Sequence, residues 1–320
     1  MRLYGYDPYR RHGGPGWLFG QWDLPRAVDS GLDGAMWSIT TNPLRSERGR
    51  WRALVANLER LAGFAAASGG RLRMAADASE YRAGRAAGSH VVIPSIQGGN
   101  ALDASVGDLA RLPAPGLARV TLLHLTPSRI GAPSYPLHVL RRRKGLTPHG
   151  RRMVEALDAA RVFVDIAHLH ARGIDDVLDV HDRSLPLMAS HTGVDGAHRL
   201  WRNLSDTHVR AIADTGGVVG IVTASLYLGR RRGRTGLQRF VDHVEHVIRV
   251  GGEDAAAIGT DYDGFILPFA DVGGAHCYPR MVDEMLRRGW TESRVRKVVG
   301  ANFLRAWADL RPPRPERRPA

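Results

Sequence analysis

Short apolar runs alternate with amphipathic stretches of helical period along most of this chain, and this alternation limits the fold more than any other feature. Periodicity predicts seven buried strands, at 34–40, 91–96, 119–125, 162–168, 185–191, 216–224 and 255–261. Helices are predicted between them, in stretches such as "RWRALVANLERLAGFAAA", "HGRRMVEALDAA", "DTHVRAIADT" and "GLQRFVDHVEHVIRV". The pattern is typical of an α/β fold with a parallel sheet.

Two α/β architectures compete for this pattern. A doubly wound open sheet accommodates seven strands, whereas an α/β barrel has eight. However, no Gly-rich phosphate loop follows an early strand. Polar residues stand instead at the carboxyl ends of successive strands, which in a barrel meet at one mouth. These residues are Gln97, His124, His168, His191 and Asp261. We therefore predict a (β/α)8 TIM-like barrel over residues 1–310, with its first strand missing or replaced, and a disordered Arg/Pro-rich tail at 311–320.

Composition and cysteine content bear on the cellular location of the protein. With 43% hydrophobic residues in 320, the chain can fill a large core, but no apolar run reaches the roughly 18–20 residues of a membrane span. The N-terminal stretch "MRLYGYDPYRRHGG" lacks the apolar centre of a secretory signal. The single cysteine, Cys277, excludes an internal disulfide framework. These features predict a cytoplasmic protein.

The net charge of +13 raises the alternative of a nucleic-acid partner. Arginine supplies 43 of the 45 basic residues, and its densest runs are "RRRKG", "GRRRGR" and the tail "RPPRPERRPA". Each run lies in a Gly- or Pro-flanked loop or terminus with few aromatic residues for base stacking. We therefore expect no specific nucleic-acid binding.

Two neighbouring strands each end on a histidine. "VFVDIAH" ends at His168 and "LPLMASH" ends at His191. A lone histidine in such a place is usually a hydrogen-bonded structural residue, but two at the same end of adjacent strands favour a shared metal. Imidazole nitrogen is the commonest metal donor in proteins. The spacing alone leaves both interpretations open.

Other polar residues near strand ends also have two interpretations. Asp261 in "IGTDYDG" is either a salt-bridge partner or a proton shuttle for a metal-bound water. Arg202 in "WRNLSD" is either a packed loop residue or a planar fork for a substrate carboxylate. His124 is equally open, and Ser205 is predicted to cap the helix that follows.

Several ordered motifs resemble one known family. "VDIAHL", "ASHTG", "WRNLSD", "GGVVGIV", "IGTDYDG" and "LRRGWTESRVRKVVGANFLR" together resemble the membrane (renal) dipeptidases, peptidase family M19. The resemblance extends forward to "GQWDLPRAVDSGLDGAMWSIT" and "VVIPSIQGGNAL", and so covers roughly residues 21–307. It implies a zinc-dependent (β/α)8 barrel that hydrolyses dipeptides with two metals, a bridging hydroxide and a bridging glutamate.

The resemblance also implies a role for each candidate residue. His168 and His191 resemble the ligands of the second metal, and Asp261 resembles the acid/base of the bridging water. His124 resembles the histidine that polarises the scissile carbonyl. The substrate-binding positions implied by the match are Arg202 as the carboxylate clamp, with Asn203 beside it and Tyr227 in the pocket.

The chain departs from the family pattern in two places. The His-x-Asp pair of the family's first strand is absent before residue 34, which agrees with the strand count. Gln97 stands where the bridging glutamate is expected, and a neutral amide cannot hold two cations close together. We therefore expect one zinc site at most, formed by His168 and His191 with the amide of Gln97 as a weaker donor, and weak or absent hydrolysis.

Two functions follow from these residues. One is a metal-dependent dipeptidase-like hydrolase acting on a dipeptide or similar small substrate with a free carboxylate. The other is a catalytically silent barrel of the same family that binds a small ligand or partner. The missing strand further predicts that residues 1–20, or a neighbouring chain in a homodimer, cover an open sheet edge.

Overall fold

The computed structural model describes residues 7–12, 19–104, 109–113, 115–134, 145–230 and 233–312. Eight strands in these residues form a single sheet. They are β1 (Gly34–Ile39), β2 (Leu72–Met74), β3 (His90–Gln97), β4 (Arg119–Thr121), β5 (Phe163–Asp165), β6 (Met188–Thr192), β7 (Val218–Ile221) and β8 (Ala256–Ile258).

Eleven α-helices surround the sheet in the described part of the chain. They are α1 (Leu24–Asp29), α2 (Glu47–Ala66), α3 (Ala78–Ala86), α4 (Pro148–Ala159), α5 (Ala171–Leu178), α6 (Asp206–Asp214), α7 (Ser225–Leu228), α8 (Gly236–Gly251), α9 (Tyr278–Arg287), α10 (Glu292–Arg296) and α11 (Asn302–Leu310). A π-helical turn, Lys297–Ala301, joins the last two. None of these helices is both long and apolar enough to cross a membrane.

The sheet is parallel throughout, in the order β1-β3-β4-β5-β6-β7-β8, with β2 beside the first half of β3. Because every strand runs the same way, the carboxyl ends of all strands lie at one edge of the sheet. The loops that follow the strands therefore share that edge, as the sequence pattern predicted.

Most helices begin where a side-chain oxygen accepts a hydrogen bond from a backbone amide of the first turn. The capping residues of α2, α3, α4, α6 and α8 are Ser46, Asp77, Thr147, Ser205 and Thr235. Thr235 and Gln238 form a reciprocal capping box. Between its ends, α8 buries Phe240, Val241, Val244 and Val247. The buried residues recur at helical spacing, which is why this helix was predictable from sequence.

The strands differ from the prediction in number and in length. The sequence predicted seven strands and missed β2, which has three residues, Leu72–Met74, with an arginine in the middle. The other strands are mostly shorter than predicted: β4 ends at Thr121 and β8 at Ile258. His124 and Asp261 therefore lie in the loops after these strands. The apolar composition of a strand continues into the buried loop that follows it. The end of an apolar run in the sequence therefore does not mark the last hydrogen bond between neighbouring strands.

Side chains from five strands meet around the guanidinium of Arg119 on β4. Its Nη1 lies 2.7 Å from Asp165 Oδ2 on β5 and 2.6 Å from Ser190 Oγ on β6. Its Nη2 donates to Ser38 on β1 and lies 3.1 Å from Ser95 Oγ on β3. Strands four places apart in a flat sheet are separated by roughly 19 Å. Because one guanidinium contacts both β1 and β6, the sheet is curled into a half-barrel, consistent with a TIM-like fold.

Asp165 gives this buried arginine its counter-charge. Its carboxylate also accepts hydrogen bonds from Thr121 Oγ1 at 2.5 Å, from Ser190 Oγ at 2.6 Å and from the amides of Ala167 and Ser190 at 3.0 and 2.9 Å. Burial opposes ionisation, but the charge of Arg119 and these donors outweigh it, so the pKa of Asp165 lies below its ordinary value. The interior of the sheet therefore holds a charged pair with its hydrogen bonds largely satisfied.

The two ends of the sheet, β1 and β8, are not hydrogen-bonded to each other within the described residues. Residues just before α1 connect them instead. The amide of Gln21 donates to Asp263 Oδ1 at 2.9 Å, and its side-chain oxygen accepts from the Asp263 amide at 3.0 Å. Its side-chain nitrogen donates to the carbonyl of Ile266 at 3.0 Å. The loop after β8 is thus joined to the chain that leads into β1.

The predicted tail, 311–320, lies mostly outside the described residues. Arg311, at its start, donates hydrogen bonds to the carbonyls of Ala76, Leu117 and Arg161.

Removal of the Asp165 carboxylate should destabilise the fold strongly. Asp165→Ala leaves a buried guanidinium without its counter-charge, a change that typically costs about 3–5 kcal/mol. Urea unfolding followed by circular dichroism would measure it. The control, Glu292→Ala, removes an exposed ion pair with Arg296, whose N–O distance is 3.6 Å, and should cost less than about 1 kcal/mol. Equal shifts of the two unfolding midpoints would contradict the structural role given to Asp165.

Candidate functional site

His168 and His191 point their rings at each other at the carboxyl edge of the sheet. Their Nε2 atoms are 2.8 Å apart, and their ring centroids are separated by 4.8 Å. Both side chains are buried. His191 lies inside β6, whereas His168 follows β5 by three residues. The structure thus brings together the two histidines that the sequence singled out.

The backbone of His168 has φ +69°, in the left-handed region that only a few non-glycine residues adopt. Its carbonyl accepts a hydrogen bond from the Ser134 amide at 2.6 Å, and the amide of Leu169 reaches back to Ile166 at 3.1 Å. These bonds hold the turn that follows β5. Uncommon backbone conformations of this kind concentrate at functional sites, where the surrounding structure maintains them.

The hydrogen bonds of Ser190 assign the tautomer of His191. Ser190 Oγ donates to the Asp165 carboxylate at 2.6 Å, which is the stronger acceptor because it is charged. The single hydroxyl proton is then used, so the 2.8 Å contact with His191 Nδ1 requires that nitrogen to carry the hydrogen. The Nε2 atom of His191 therefore presents a lone pair to His168. A hydrogen bond to the second ring nitrogen is the usual way in which proteins orient a metal-binding histidine.

Both histidines are held neutral by their surroundings. Burial, followed by the positive charge of Arg202, keeps the pKa values of His168 and His191 well below the ordinary histidine value. Neutral imidazole is the form that binds metal ions. The two Nε2 atoms converge, and each can present a lone pair to a divalent cation when the hydrogen of its ring lies on Nδ1.

Gln97, at the end of β3, is the third polar neighbour of this pair. Its amide nitrogen lies 3.3 Å from His168 Nε2, and a half-turn of the side-chain amide would present the oxygen there instead. That oxygen is neutral, and among the described residues no three His, Cys, Asp or Glu side chains come together as metal ligands. Among the described residues, the side chains that converge here are therefore two histidines and one neutral amide.

His124 and Asp261 complete the polar part of the site. The His124 ring packs edge-on against His168, with centroids 4.8 Å apart. Burial, together with the charge of Arg202, lowers the pKa of His124 to about 4, so its imidazole is neutral at pH 7. Burial raises the pKa of Asp261 to about 7, against the opposing charges of Arg202 and Arg119. A carboxyl group with this pKa can both accept and return a proton near neutrality.

Arg202 is a buried cation whose hydrogen bonds are incomplete. Its Nη2 donates to the His191 carbonyl at 3.3 Å, and its guanidinium lies over the Tyr227 ring, 5.5 Å from the centroid. Among the described residues, its Nε has no hydrogen-bond partner. A buried guanidinium with a donor left over can bind an acceptor supplied by a ligand.

Asn203 connects the Arg202 loop to the segment after β7. Its amide nitrogen donates to the carbonyls of His198 and Tyr227 at 2.7 and 3.0 Å. Both side-chain protons are thus used within the protein, while the amide oxygen has no partner within the described ranges. Asp263, two residues after Asp261, binds the amides of Gln21 and Trp22 rather than stabilising only its own turn.

Arg119, Asp165 and Ser190 were not identified from the sequence. These residues are hydrogen-bonded to one another, and Ser190 contacts His191 Nδ1. Arg119 begins the predicted strand "RVTLLHL", where a charged residue usually marks the exposed start of a strand. The only available signal was Asp165, a carboxylate inside the apolar run "VFVDIAH", since such a group needs a buried partner.

Comparisons with known proteins identify the family of this chain and its similarity in fold to solved structures. The family model described as membrane dipeptidase (peptidase family M19) matches residues 17–313. An uncharacterized protein in the pqqA 5' region of Klebsiella pneumoniae is 30% identical over 249 residues, which cover 74% of this chain and 89% of that protein. The structure of dipeptidase AC, a metallopeptidase of family M19, has 26% identity and a TM-score of 0.80, covering 92% of this chain and 91% of its own.

A further solved structure is similar in fold. The probable dipeptidase PvdM from Pseudomonas aeruginosa is 20% identical, with a TM-score of 0.81, and the match covers 93% of this chain and 90% of that one.

Replacement of Asp261 should reduce the loss of folding stability that accompanies a rise in pH. With a pKa of about 7 in the folded protein and an ordinary value near 3.8 in the unfolded chain, Asp261 keeps a proton on folding between these values. Stability therefore falls as the pH rises through this window. Because the side chain is only partly buried, the contribution should be on the order of 2 kcal/mol.

Urea unfolding of the metal-free protein at pH 5 and pH 8 would measure this effect. Asp261→Asn should lose more of the pH dependence than the control Asp283→Asn, which changes an exposed carboxylate on α9. A pH dependence of Asp261→Asn equal to that of the parent would show that the carboxyl group is ionised throughout.

Proposed function

Because this chain belongs to the membrane dipeptidase family, peptidase family M19, we propose that it is a hydrolase that cleaves the amide bond of a dipeptide or related small substrate with a free carboxylate. The observation that carries this proposal is the buried guanidinium of Arg202, whose Nε has no partner in the part of the chain that the structure describes. A substrate carboxylate supplies the acceptor and the counter-charge that this group lacks.

The substrate carboxylate would bind Arg202, with Tyr227 supporting the guanidinium from its other side. This orientation brings the amide bond toward His124, His168 and His191. Asn203 contributes by holding the Arg202 loop against the carbonyl of Tyr227, and only its free oxygen is available for a substrate N–H.

Asp261 and His124 are the proposed catalytic residues. Asp261 takes a proton from the attacking water and returns it to the leaving amine, for which a pKa of about 7 is well placed. His124, neutral at pH 7 because burial lowers its pKa to about 4, donates a hydrogen bond to the carbonyl oxygen as it gains charge.

The proposed cofactor is a single zinc ion at His168 and His191, with Gln97 as a weak neighbour. A bound zinc ion supplies Lewis acidity and lowers the pKa of a coordinated water. Gln97 lacks the negative charge to bridge a second cation, so hydrolysis should be slow for a member of this family.

A catalytically silent, ligand-binding barrel is the second candidate. The neutral contact between Gln97 and His168, at 3.3 Å, favours it because the chain keeps the carboxylate-binding arginine while losing charge at the metal centre. Metal content and turnover distinguish the two candidates.

We also propose that residues 1–310 form a (β/α)8 barrel whose first strand is missing. Support comes from the two end strands, β1 and β8, which are not paired with each other in the described residues, and from the contacts that Gln21 makes between these ends. Pairing of these edges with a second copy would give a homodimer. The buried single cysteine, Cys277, is consistent with a reducing, cytoplasmic location.

Arg202→Ala should abolish the preference for free-acid ligands. Calorimetry would compare Gly-D-Ala with its carboxamide on the metal-loaded protein. Loss of a charged hydrogen bond costs about 1.5–3 kcal/mol, which is a loss of affinity of roughly 10- to 150-fold for the free acid alone. Arg202→Lys should recover only part of it, because an ammonium lacks the planar fork. Arg199→Ala, an exposed change in the same loop, is the control. If Arg202→Ala keeps the parent's preference, the carboxylate lies elsewhere.

Gln97→Glu should strengthen zinc binding without creating a second site. A carboxylate beside His168 adds a charged ligand and should raise the affinity by about tenfold or more, equivalent to about 1.4 kcal/mol. Equilibrium dialysis with zinc analysis, together with hydrolysis of Gly-D-Ala and L-Ala-L-Ala, would test this. Gln238→Glu, at the start of α8, is the control glutamine. Two tightly held zinc ions and ordinary turnover in the parent would show that other residues supply the missing ligands.

A further inference from the structure

Exposed apolar side chains are concentrated at the edge of the sheet that carries the site. Ten large hydrophobic side chains of the described residues are exposed, and six of them lie in segments that directly follow a strand at its carboxyl end. These six, which we call the apolar rim, are Leu44, Leu125, Trp201, Leu226, Phe265 and Leu267. The remaining four lie on α1, on α9, in the π-helical turn and in the segment before α1.

The apolar rim is tied to the site by chain connectivity. Leu125 follows His124, Trp201 precedes Arg202, and Leu226 precedes Tyr227. The rim is also internally connected: the amide of Ser225 donates to the carbonyl of Leu267 at 2.9 Å, which brings the segment after β7 against the loop after β8. Three residues of the proposed site, His124, Arg202 and Tyr227, therefore each have an exposed apolar neighbour in the chain.

Exposure at the rim is substantial. Leu125 is 65% exposed, Phe265 63% and Leu226 58%. A small polar dipeptide bound at Arg202 would leave these surfaces in water, whereas an apolar group that extends outward from the same ligand would bury them. Burial of apolar surface is the main non-directional contribution to ligand binding.

We propose, on the basis of the function proposed above, that the substrate carries a bulky apolar acyl or aryl group on the side of the amide opposite its carboxylate. The chemical class is an N-acyl amino acid whose acyl chain is long enough to reach the rim. A lipid surface fits less well, because the buried cation Arg202 needs an anionic group that enters the site, and a bilayer resting on the rim would not bring one there.

The test is a homologous series of ligands. Calorimetry would measure the binding of N-acyl-D-alanines and N-acyl-L-alanines, from acetyl to octanoyl, to the zinc-loaded chain. The affinity should rise about two- to fourfold for each added methylene while the chain contacts the rim. Trp201→Ser and Leu267→Ser should reduce this increment, and Leu286→Ser, an exposed leucine on α9, should leave it unchanged.

The outcomes separate this inference from the proposed function. Free acids that bind with no dependence on chain length would overturn the inference alone. If carboxamides of the same series bind as well as the acids, the carboxylate role of Arg202 fails, and a persisting chain-length dependence would still support the rim. Sedimentation with phosphatidylglycerol vesicles that is lost in Trp201→Ser would identify the rim as a lipid-binding surface and overturn the proposal.

Discussion

The ion pair between Arg119 and Asp165 is the interaction on which the other parts of this structure depend. It brings side chains from β1, β3, β4, β5 and β6 to one point inside the curled sheet, and so fixes where the carboxyl ends of those strands lie relative to one another. Charges buried this deeply are stable only with nearly complete hydrogen bonding. The serine and threonine partners are therefore needed by the fold itself, quite apart from any chemistry above them.

The candidate site at the carboxyl edge of the sheet is continuous with this pair. Ser190 accepts from Arg119, donates to Asp165 and accepts from His191, so the orientation of one site histidine is set by the same hydroxyl that satisfies the ion pair. Above it, the charges are distributed unevenly. Two arginines lie near the site, while the carboxyl group of Asp261 is shifted toward its neutral form. Since Asp165 neutralises Arg119, the charge of Arg202 remains, and it favours anionic ligands.

The sequence predicted much of this arrangement, and the parts it missed have physical causes. Regular periodicity located the helices and most strands, since buried faces repeat along the chain. β2 was missed because three residues with a central arginine carry no period. The positive φ angles of His168 and Asp261 leave no mark in the sequence. The positions of His168 and His191 at a common edge were predictable, but their 2.8 Å contact depends on the turn after β5, which the sequence does not mark.

Ser190 also determines how freely such a protein can change its ligand over evolutionary time. A substitution there would alter the tautomer of His191 and leave the ion pair beneath it short of a partner, so stability and chemistry would be lost in one step. By contrast, the side chains of the apolar rim support neither the ion pair nor the histidines in the part of the chain that the structure describes. With the rim contacting the ligand as we propose, new specificities can arise there by single substitutions, whereas a change at Ser190 requires compensating changes at Asp165 and His191.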